Sequence, residues 1–88
     1  MILKSGEEGF LGTLEPGMTG EILGFDFPKE DESFFLRLLE VGFLPGQTIS
    51  VLNVSPFGGD PMSVRVLNGV YAIRRAEADR IRVRRISV

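Results

Sequence analysis

The 88-residue chain contains neither cysteine nor histidine. Without cysteine there is no disulfide. Without either residue there is no zinc-finger site and no nucleophilic catalysis by Cys or His. A Ser-His-Asp triad is excluded for the same reason. Metal contacts are restricted to carboxylate, carbonyl or thioether groups, which hold transition metals weakly. We therefore expect no enzymatic activity, no cofactor, and no metal site beyond a weak transition-metal contact.

Long apolar runs are also missing from the chain. A membrane-spanning helix needs about 20 apolar residues, and no segment approaches that length. The N-terminus, MILKSGEEG, carries one lysine and two glutamates, which is unlike a signal peptide. These features predict a cytoplasmic protein that does not insert into a membrane.

Charge is unevenly distributed along the chain, although the net charge is only −2. Residues 1–44 carry nine acidic and three basic residues, a net −6, whereas residues 45–88 carry three acidic residues and seven arginines, a net +4. Either the two halves pair across the surface, or the arginines form a basic patch for an acidic or nucleic-acid partner. Nucleic-acid binding is disfavoured because Tyr71 is the single aromatic residue after Phe57 and the pI is about 5.0.

Short strand patterns separated by turn residues dominate the chain. Strands are predicted at residues 20–27, 48–55, 62–66, 70–73 and 81–88, with a helical turn at residues 75–80. Asn68-Gly69 is the strongest hairpin signal, and Gly24 indicates either a bulge or a close backbone approach in the first long strand. We therefore predict a mainly β fold, a small SH3-like barrel of about five strands with one short inserted helix and a C-terminal helical turn.

The domain organisation follows from this pattern. Residues 1–9 are expected to be a loose lead-in, and residues 10–88 form a single domain. An OB-fold is the nearest competitor, since it is also a small five-stranded barrel with a helix. In the OB-fold the helix usually lies between the third and fourth strands, whereas here it follows the first long strand.

The inserted helix, SFFLRLLEV, is apolar on more than one side. Phe34, Leu38 and Val41 form one stripe, Phe35 and Leu39 form a second, and Leu36 lies on a third side. A short helix on a small barrel buries one face, so either a neighbouring loop covers the others or the helix offers apolar surface to a partner. The following glycine, at position 42, is the expected helix-ending residue with positive φ.

The stretch RLLEVGFLPGQTISVL resembles the signature of the ferrous iron transport protein A (FeoA) family. The matching features are Arg37-Leu38 on a short helix, Gly42, Phe43, and Leu44-Pro45-Gly46 before a strand. GTLEPGMTGEILGF, SPFGGDPMSVRV and AIRRAEADRIRV resemble three further family segments in the same order, so the resemblance spans about residues 11–84. The loop PFGGDP departs from the family pattern by Phe57 in place of leucine and by one additional glycine.

This resemblance implies an SH3-like barrel and a small accessory protein of bacterial ferrous iron uptake. The expected partner is the membrane protein FeoB, through its cytosolic GTPase domain, which would hold the protein at the inner face of the membrane. The residues expected to bind that partner are Leu36, Arg37, Leu38, Leu39, Gly42, Phe43, Pro45 and Gly46. On this hypothesis, Leu38→Gln or Leu39→Gln leaves the fold intact and weakens binding.

A second hypothesis remains open beside the first. A related SH3-like domain ends the iron-dependent repressors, so the chain could be a regulatory module of an iron-responsive repressor system or a nucleic-acid-binding small barrel. The arginine-rich last strand would carry such binding, which would be sensitive to salt.

Overall fold

Alternation of apolar and polar residues shapes a small antiparallel sheet in the computed structural model, which describes residues 2–87. Within these residues there are six strands, two short α-helices and two 3₁₀ turns. They are β1 (Glu8–Phe10), a 3₁₀ turn (Leu11–Thr13), β2 (Thr19–Phe25), a 3₁₀ turn (Lys29–Asp31), α1 (Glu32–Glu40), β3 (Thr48–Val54), β4 (Met62–Val66), β5 (Gly69–Ile73), α2 (Arg75–Ala78) and β6 (Ile81–Ile86). All strands belong to one sheet in the order β1-β6-β2-β3-β4-β5, and the predicted mainly β fold is confirmed.

The first strand was not anticipated. Glu8 and Gly9 were expected to belong to a loose lead-in, but Gly9 pairs with Val83 and Glu8 with Arg84. The sheet therefore has six strands within residues 2–87 rather than about five. A three-residue segment containing one glutamate and one glycine has no periodicity, so the sequence gives no local signal for this strand. The predicted lead-in began at Met1 and the predicted last strand ended at Val88, and both residues lie outside the described part of the chain.

Two irregularities bend the strands. In the pairing of β2 with β6, the register shifts between Ile22 and Gly24, which confirms the bulge, one of the two alternatives expected from the glycine. In the pairing of β3 with β4, the register shifts between Val51 and Asn53. An extra residue in a strand reverses the faces of the residues that follow it, which explains why the apolar residues of β3 do not alternate. The two bends let β2 and β3 curl around a single core.

The core is built from the inward faces of the sheet and from the helix segment. β4 shows the pattern most simply, because Met62, Val64 and Val66 are fully buried whereas Arg65 is exposed. The largest fully buried side chains are Phe35, Phe43, Leu11, Leu14, Ile22, Ile49, Met62, Ile73 and Ile81. Within residues 2–87 no buried side-chain nitrogen or oxygen lacks a hydrogen-bond partner. The core is therefore apolar and free of uncompensated polar groups.

The β4–β5 hairpin differs from the predicted turn by one residue. Val66 pairs with Gly69, so the two loop residues are Leu67 and Asn68 rather than Asn68 and Gly69. The left-handed conformation is adopted by Leu67, with φ of +53°, a region that leucine rarely occupies. Gly69 is needed in the strand instead, because an added Cβ would collide with the ring of Tyr71.

The predicted pairing of the two halves accounts for only some of the arginine contacts. Arginines of the second half also bind backbone carbonyls. Arg84 forms ion pairs with Glu8, at 3.0 Å, and with Glu21, at 3.4 Å, so it joins both halves of the chain. Arg85 instead donates to the backbone carbonyl of Leu3. The pairing of the acidic and basic halves is therefore limited to Arg84 within residues 2–87.

Arg75 connects three separate segments. Its guanidinium donates to the carbonyl of Gly12 and, at 3.1 Å from Nε, to the carbonyl of Gly59. Its backbone N–H donates to Oδ1 of Asp60 at 3.1 Å. The planar guanidinium places two donors in a fixed fork, which suits simultaneous contact with two carbonyls. Arg75 thus ties the loop between β3 and β4 to α2 and to the 3₁₀ turn after β1.

Replacing Arg75 by alanine is expected to lower the free energy of unfolding by about 1–3 kcal/mol, because two hydrogen bonds from a charged, half-buried donor are lost. Chemical denaturation monitored by circular dichroism measures this change. Arg82→Ala is the matched control, since Arg82 is exposed and makes no side-chain hydrogen bond within residues 2–87. The control should stay within about 0.5 kcal/mol of the parent. Equal effects in the two variants would contradict the structural role of Arg75.

Candidate partner-binding surface

The end of α1 has the hydrogen bonding of a Schellman motif. The N–H of Phe43 donates to the carbonyl of Leu38 at 2.9 Å, and the N–H of Gly42 donates to that of Leu39 at 3.2 Å. Gly42 has a φ of +111°, which confirms it as the helix-ending glycine. Leu38 and Phe43 are both buried, so the motif has its usual hydrophobic contact across the helix end. The chain therefore leaves the helix in one defined direction.

The following turn connects α1 to β3. The N–H of Gln47 donates to the carbonyl of Leu44 at 2.9 Å, and Gly46 has a φ of +94°. Proline followed by a left-handed glycine is the pattern of a type II turn. The N–H of Gly46 donates to the carbonyl of Ile22 at 2.7 Å, so the turn is attached to β2. The Pro45-Gly46 pair therefore directs the chain into the barrel and holds the helix end against it.

An aromatic cluster anchors the beginning of α1. Phe35 is fully buried, and its ring stacks on that of Phe27 with centroids 4.6 Å apart. Phe25 and Phe34 approach the same ring with centroids at 5.6 Å and 5.2 Å. Tilted and edge-on arrangements at these distances are favourable for aromatic pairs. The helix is thus fixed at both ends, by Phe35 near its start and by Leu38 and Phe43 at its end.

These contacts change the set of residues that α1 can offer to a partner. Leu38 is only 6% exposed and Phe43 is fully buried, so neither side chain forms an accessible surface. The expectation that Leu38→Gln leaves the fold intact is therefore wrong, because a polar amide would replace a core side chain. Leu39 is half-buried, Gly42 is buried, and Arg37, Pro45 and Gly46 are exposed. Leu36 is 47% exposed and is the most accessible leucine of the helix.

The accessible apolar surface lies around Gly42. Val41 and Leu44 flank this glycine and are 43% and 45% exposed. Leu67, 56% exposed, reaches it from the β4–β5 turn: its Cδ1 lies 2.6 Å from the position of a Cβ added to Gly42. We call Val41, Leu44 and Leu67 the helix-end surface. Leu36 lies on the same short helix, more than one turn before Val41.

Leu67 is the residue that sequence reasoning missed. Its left-handed backbone conformation costs about 1–2 kcal/mol for a leucine, and glycine or asparagine would avoid that cost. The side chain is nonetheless largely exposed, so burial does not offset the strain. The sequence carried no signal for Leu67, because the predicted turn, Asn68-Gly69, lies one residue after the observed loop. Strain of this kind is concentrated at binding sites.

A small cleft lies at the other end of α1. It has a volume of about 250 Å³ and is lined by Asp31, Phe34, Phe35, Ala76, Glu77 and Arg80. Within residues 2–87 there is no group of three or more acidic, histidine or cysteine side chains placed to hold a metal ion. In the same residues no helix is long and apolar enough to cross a membrane.

Comparison with known proteins shows that the chain is similar to FeoA proteins in sequence and in structure. Residues 11–85 match the FeoA domain family. The crystal structure of an iron uptake regulatory protein, FeoA, superposes with a TM-score of 0.73 and 26% identity, covering 91% of this chain and 99% of that one. FeoA of Stenotrophomonas maltophilia in complex with zinc, described as a prokaryotic SH3 domain protein, gives a TM-score of 0.75, 27% identity, and coverages of 84% and 87%. FeoA of Chlorobium tepidum gives 0.79, 27% identity, and coverages of 89% and 70%.

A manganese-dependent transcriptional repressor has the same fold at lower similarity. It superposes with a TM-score of 0.75 at 17% identity, covering 94% of this chain but 44% of the repressor. That likeness shows the fold alone. A comparison with curated proteins gave no match. The SH3-like architecture predicted from the sequence is confirmed by the similarity to the FeoA structures.

Leu38→Gln is expected to lower the free energy of unfolding by about 2–5 kcal/mol, since it removes a buried leucine and buries an amide. Leu36→Gln introduces the same side chain on the exposed side of α1 and should change stability by about 0.5 kcal/mol or less. Thermal and chemical denaturation of the two variants check both values. A stable, cooperatively folded Leu38→Gln variant would show that this helix face is not part of the core.

Proposed function

The chain belongs to the FeoA domain family, and from this membership we propose that it is an accessory protein of bacterial ferrous iron uptake that binds the membrane GTPase transporter FeoB. The family match covers residues 11–85, which is nearly the whole chain. The Stenotrophomonas maltophilia relative is described as a candidate activating factor of bacterial ferrous iron transport. Another solved relative is described as an iron uptake regulatory protein. On this proposal the protein acts in the cytoplasm, at the inner face of the membrane, through its partner.

The observation that carries the proposal is the helix-end surface. It combines exposed apolar side chains with a strained leucine, and neither feature improves the stability of the isolated chain. Two of its three residues follow directly from the family-like segment EVGFLPG, in which Val41 and Leu44 flank the helix-ending glycine. At such a rigid helix end, a partner can approach the backbone of the glycine closely. The surrounding apolar side chains give the partner a small apolar contact. Such a contact suits protein binding and requires no catalytic group.

The position of the surface also fits a docking role. The Schellman motif and the attached turn hold the backbone around Val41 and Leu44 by hydrogen bonds. Leu67 comes from a different part of the chain, so the surface exists only in the folded protein. A preorganised surface loses little conformational entropy on binding, which favours affinity for its size. Arg37 and Glu40 lie exposed on the same helix and provide a charged rim.

The nucleic-acid hypothesis is less favoured by the positions of the arginines. Arg75, Arg84 and Arg85 are engaged by carbonyls or carboxylates of the chain itself. The second half has two aromatic residues: Phe57 lies exposed in the loop between β3 and β4, and Tyr71 packs edge-on against Phe43 with centroids 5.3 Å apart. Tyr71 is therefore not placed as a free stacking platform. The proposal accordingly assigns these three arginines to the fold.

Binding to the purified cytosolic GTPase domain of the cognate FeoB tests the proposal. We expect the double variant Leu44→Gln/Leu67→Asn to bind about tenfold more weakly or worse, because apolar contact is removed at two exposed positions of the helix-end surface. Its stability should be unchanged or slightly higher, since asparagine relieves the strained backbone at position 67. Isothermal titration calorimetry measures the affinity, and thermal denaturation measures the stability.

Phe57→Gln is the matched control for this experiment. Phe57 is 85% exposed but lies in the loop between β3 and β4, away from the helix-end surface, so its replacement should not alter binding. Unchanged affinity of the double variant would refute the helix-end surface as the docking site. Absence of binding by the parent protein would refute the proposed partner itself.

Nucleic-acid binding is tested separately by a mobility-shift assay with the parent protein on duplex DNA and on single-stranded RNA at low salt. We expect no shift, because three of the seven arginines of the second half are engaged within the fold and Phe57 is a lone exposed aromatic rather than one of a series of stacking platforms. A shift that disappears with added salt would support the alternative function.

A further inference from the structure

The two edges of the sheet are protected very differently. The strand order places β1 at one edge and β5 at the other. β1 has three residues, begins with Glu8, and is short and charged, which discourages pairing with another chain. β5, with the sequence GVYAI, has five residues and carries no charge. An uncharged edge strand of this length is a template for strand addition.

The hydrogen-bonding pattern of the β4–β5 hairpin shows which backbone N–H and C=O groups of β5 point away from the sheet. In a hairpin with a two-residue loop, the flanking pair exchanges both hydrogen bonds, and here that pair is Val66 and Gly69. By alternation, Tyr71 and Ile73 also bond to β4, whereas the N–H and C=O groups of Val70 and Ala72 point away from the sheet. Within residues 2–87, neither Val70 nor Ala72 forms a backbone hydrogen bond outside the hairpin.

Both outward-facing residues are accessible. Val70 is 57% exposed, and Ala72 is also exposed. Of the elements in the described chain, only β4 makes an extensive contact with β5. The free edge therefore presents two donors and two acceptors in the geometry of a strand, to a segment lying about 4.8 Å away.

The charges around this edge specify the segment it would accept. Arg65 lies directly opposite Val70 in β4, and its side chain shares the outer face with those of Val70 and Ala72. Arg74 follows β5 in extended backbone, with φ −72° and ψ 150°, so it continues the same row. Within residues 2–87 neither arginine forms an ion pair. The row itself contains no carboxylate; the carboxylate of Glu77 accepts from the backbone N–H of Arg74 at 3.0 Å, at the end of the row.

We propose that β5 binds an extended segment of another protein by strand addition, and that this segment alternates acidic with apolar residues. Its backbone pairs with Val70 and Ala72. Its acidic side chains lie on the outer face, within reach of Arg65 and Arg74, while its apolar side chains lie on the opposite face, which carries Tyr71. This site is distinct from the helix-end surface, and the inference does not depend on the transporter as partner.

A second copy of this chain is a poorer occupant. Antiparallel pairing of two β5 strands would place both copies of Arg65 and Arg74 on one face without intervening carboxylates. Like charges on neighbouring strands are destabilising, and an acidic segment removes that repulsion. The charge of the edge therefore favours a different chain over self-association.

The test titrates ¹⁵N-labelled full-length protein with a soluble peptide of about ten residues in which glutamate alternates with valine and threonine. We expect saturable shifts centred on the amides of Val70 and Ala72, with slower hydrogen exchange at both. The same peptide with lysine in place of each glutamate should bind about tenfold more weakly. Analytical ultracentrifugation of the free protein should show no association through β5.

Three variants separate backbone pairing from charge. Val70→Pro removes one outward N–H without removing a bond to β4, and the preceding glycine leaves room for the ring, so peptide binding should be lost while the fold remains. Val70→Thr keeps the N–H and should bind like the parent. Arg65→Glu, at an exposed position, should reverse the preference between the two peptides. Shifts centred on α1, no saturable shift, or unaltered preference in Arg65→Glu would each overturn the proposal.

Discussion

Burial of Phe35, Leu38 and Phe43 in the barrel is the constraint on which the rest of this structure depends. These three side chains orient the only helix longer than one turn in residues 2–87, and they do so from both of its ends. Once they are inside, Leu36 lies outside, because a nine-residue helix has one buried face. Val41 is the C-cap, where the chain leaves the helix, and it is also exposed. The accessible surface of the protein is thus a consequence of its packing.

The glycine at the helix end has a second function beyond allowing the chain to turn. Because Gly42 lacks a side chain, Leu67 from the β4–β5 hairpin lies directly against its backbone. An alanine there would meet both an unfavourable φ and the leucine side chain. A side chain therefore cannot be added at the helix end unless Leu67 of the hairpin moves. This coupling brings apolar side chains from two distant parts of the chain together on one surface.

Exposed strain and unprotected edges are both departures from what stability alone would favour. The left-handed Leu67 and the uncharged β5 are neighbours in sequence, and each would be improved for the isolated protein by a simple substitution, such as asparagine in the turn or a charged residue in the strand. The opposite edge of the sheet shows that the fold accommodates a protected strand, since β1 is short and charged. Features that weaken the isolated chain are most readily explained by binding.

The amino-acid sequence by itself determined the fold class, the helix-ending Gly42 and the family, since each depends on short local patterns of residues. It also predicted the bulge at Gly24 as one of two alternatives, where a glycine interrupts a strand pattern. It did not reveal β1, because three residues carry no periodicity and the strand exists only through pairing with β6. It assigned Leu38 to the partner-binding surface, although this side chain is buried in the core. The helix is apolar on several sides, and only the tertiary contacts decide which side is buried. The role of Leu67 was likewise decided by the folded chain, where a hairpin loop meets a helix end that lies more than twenty residues earlier in the sequence.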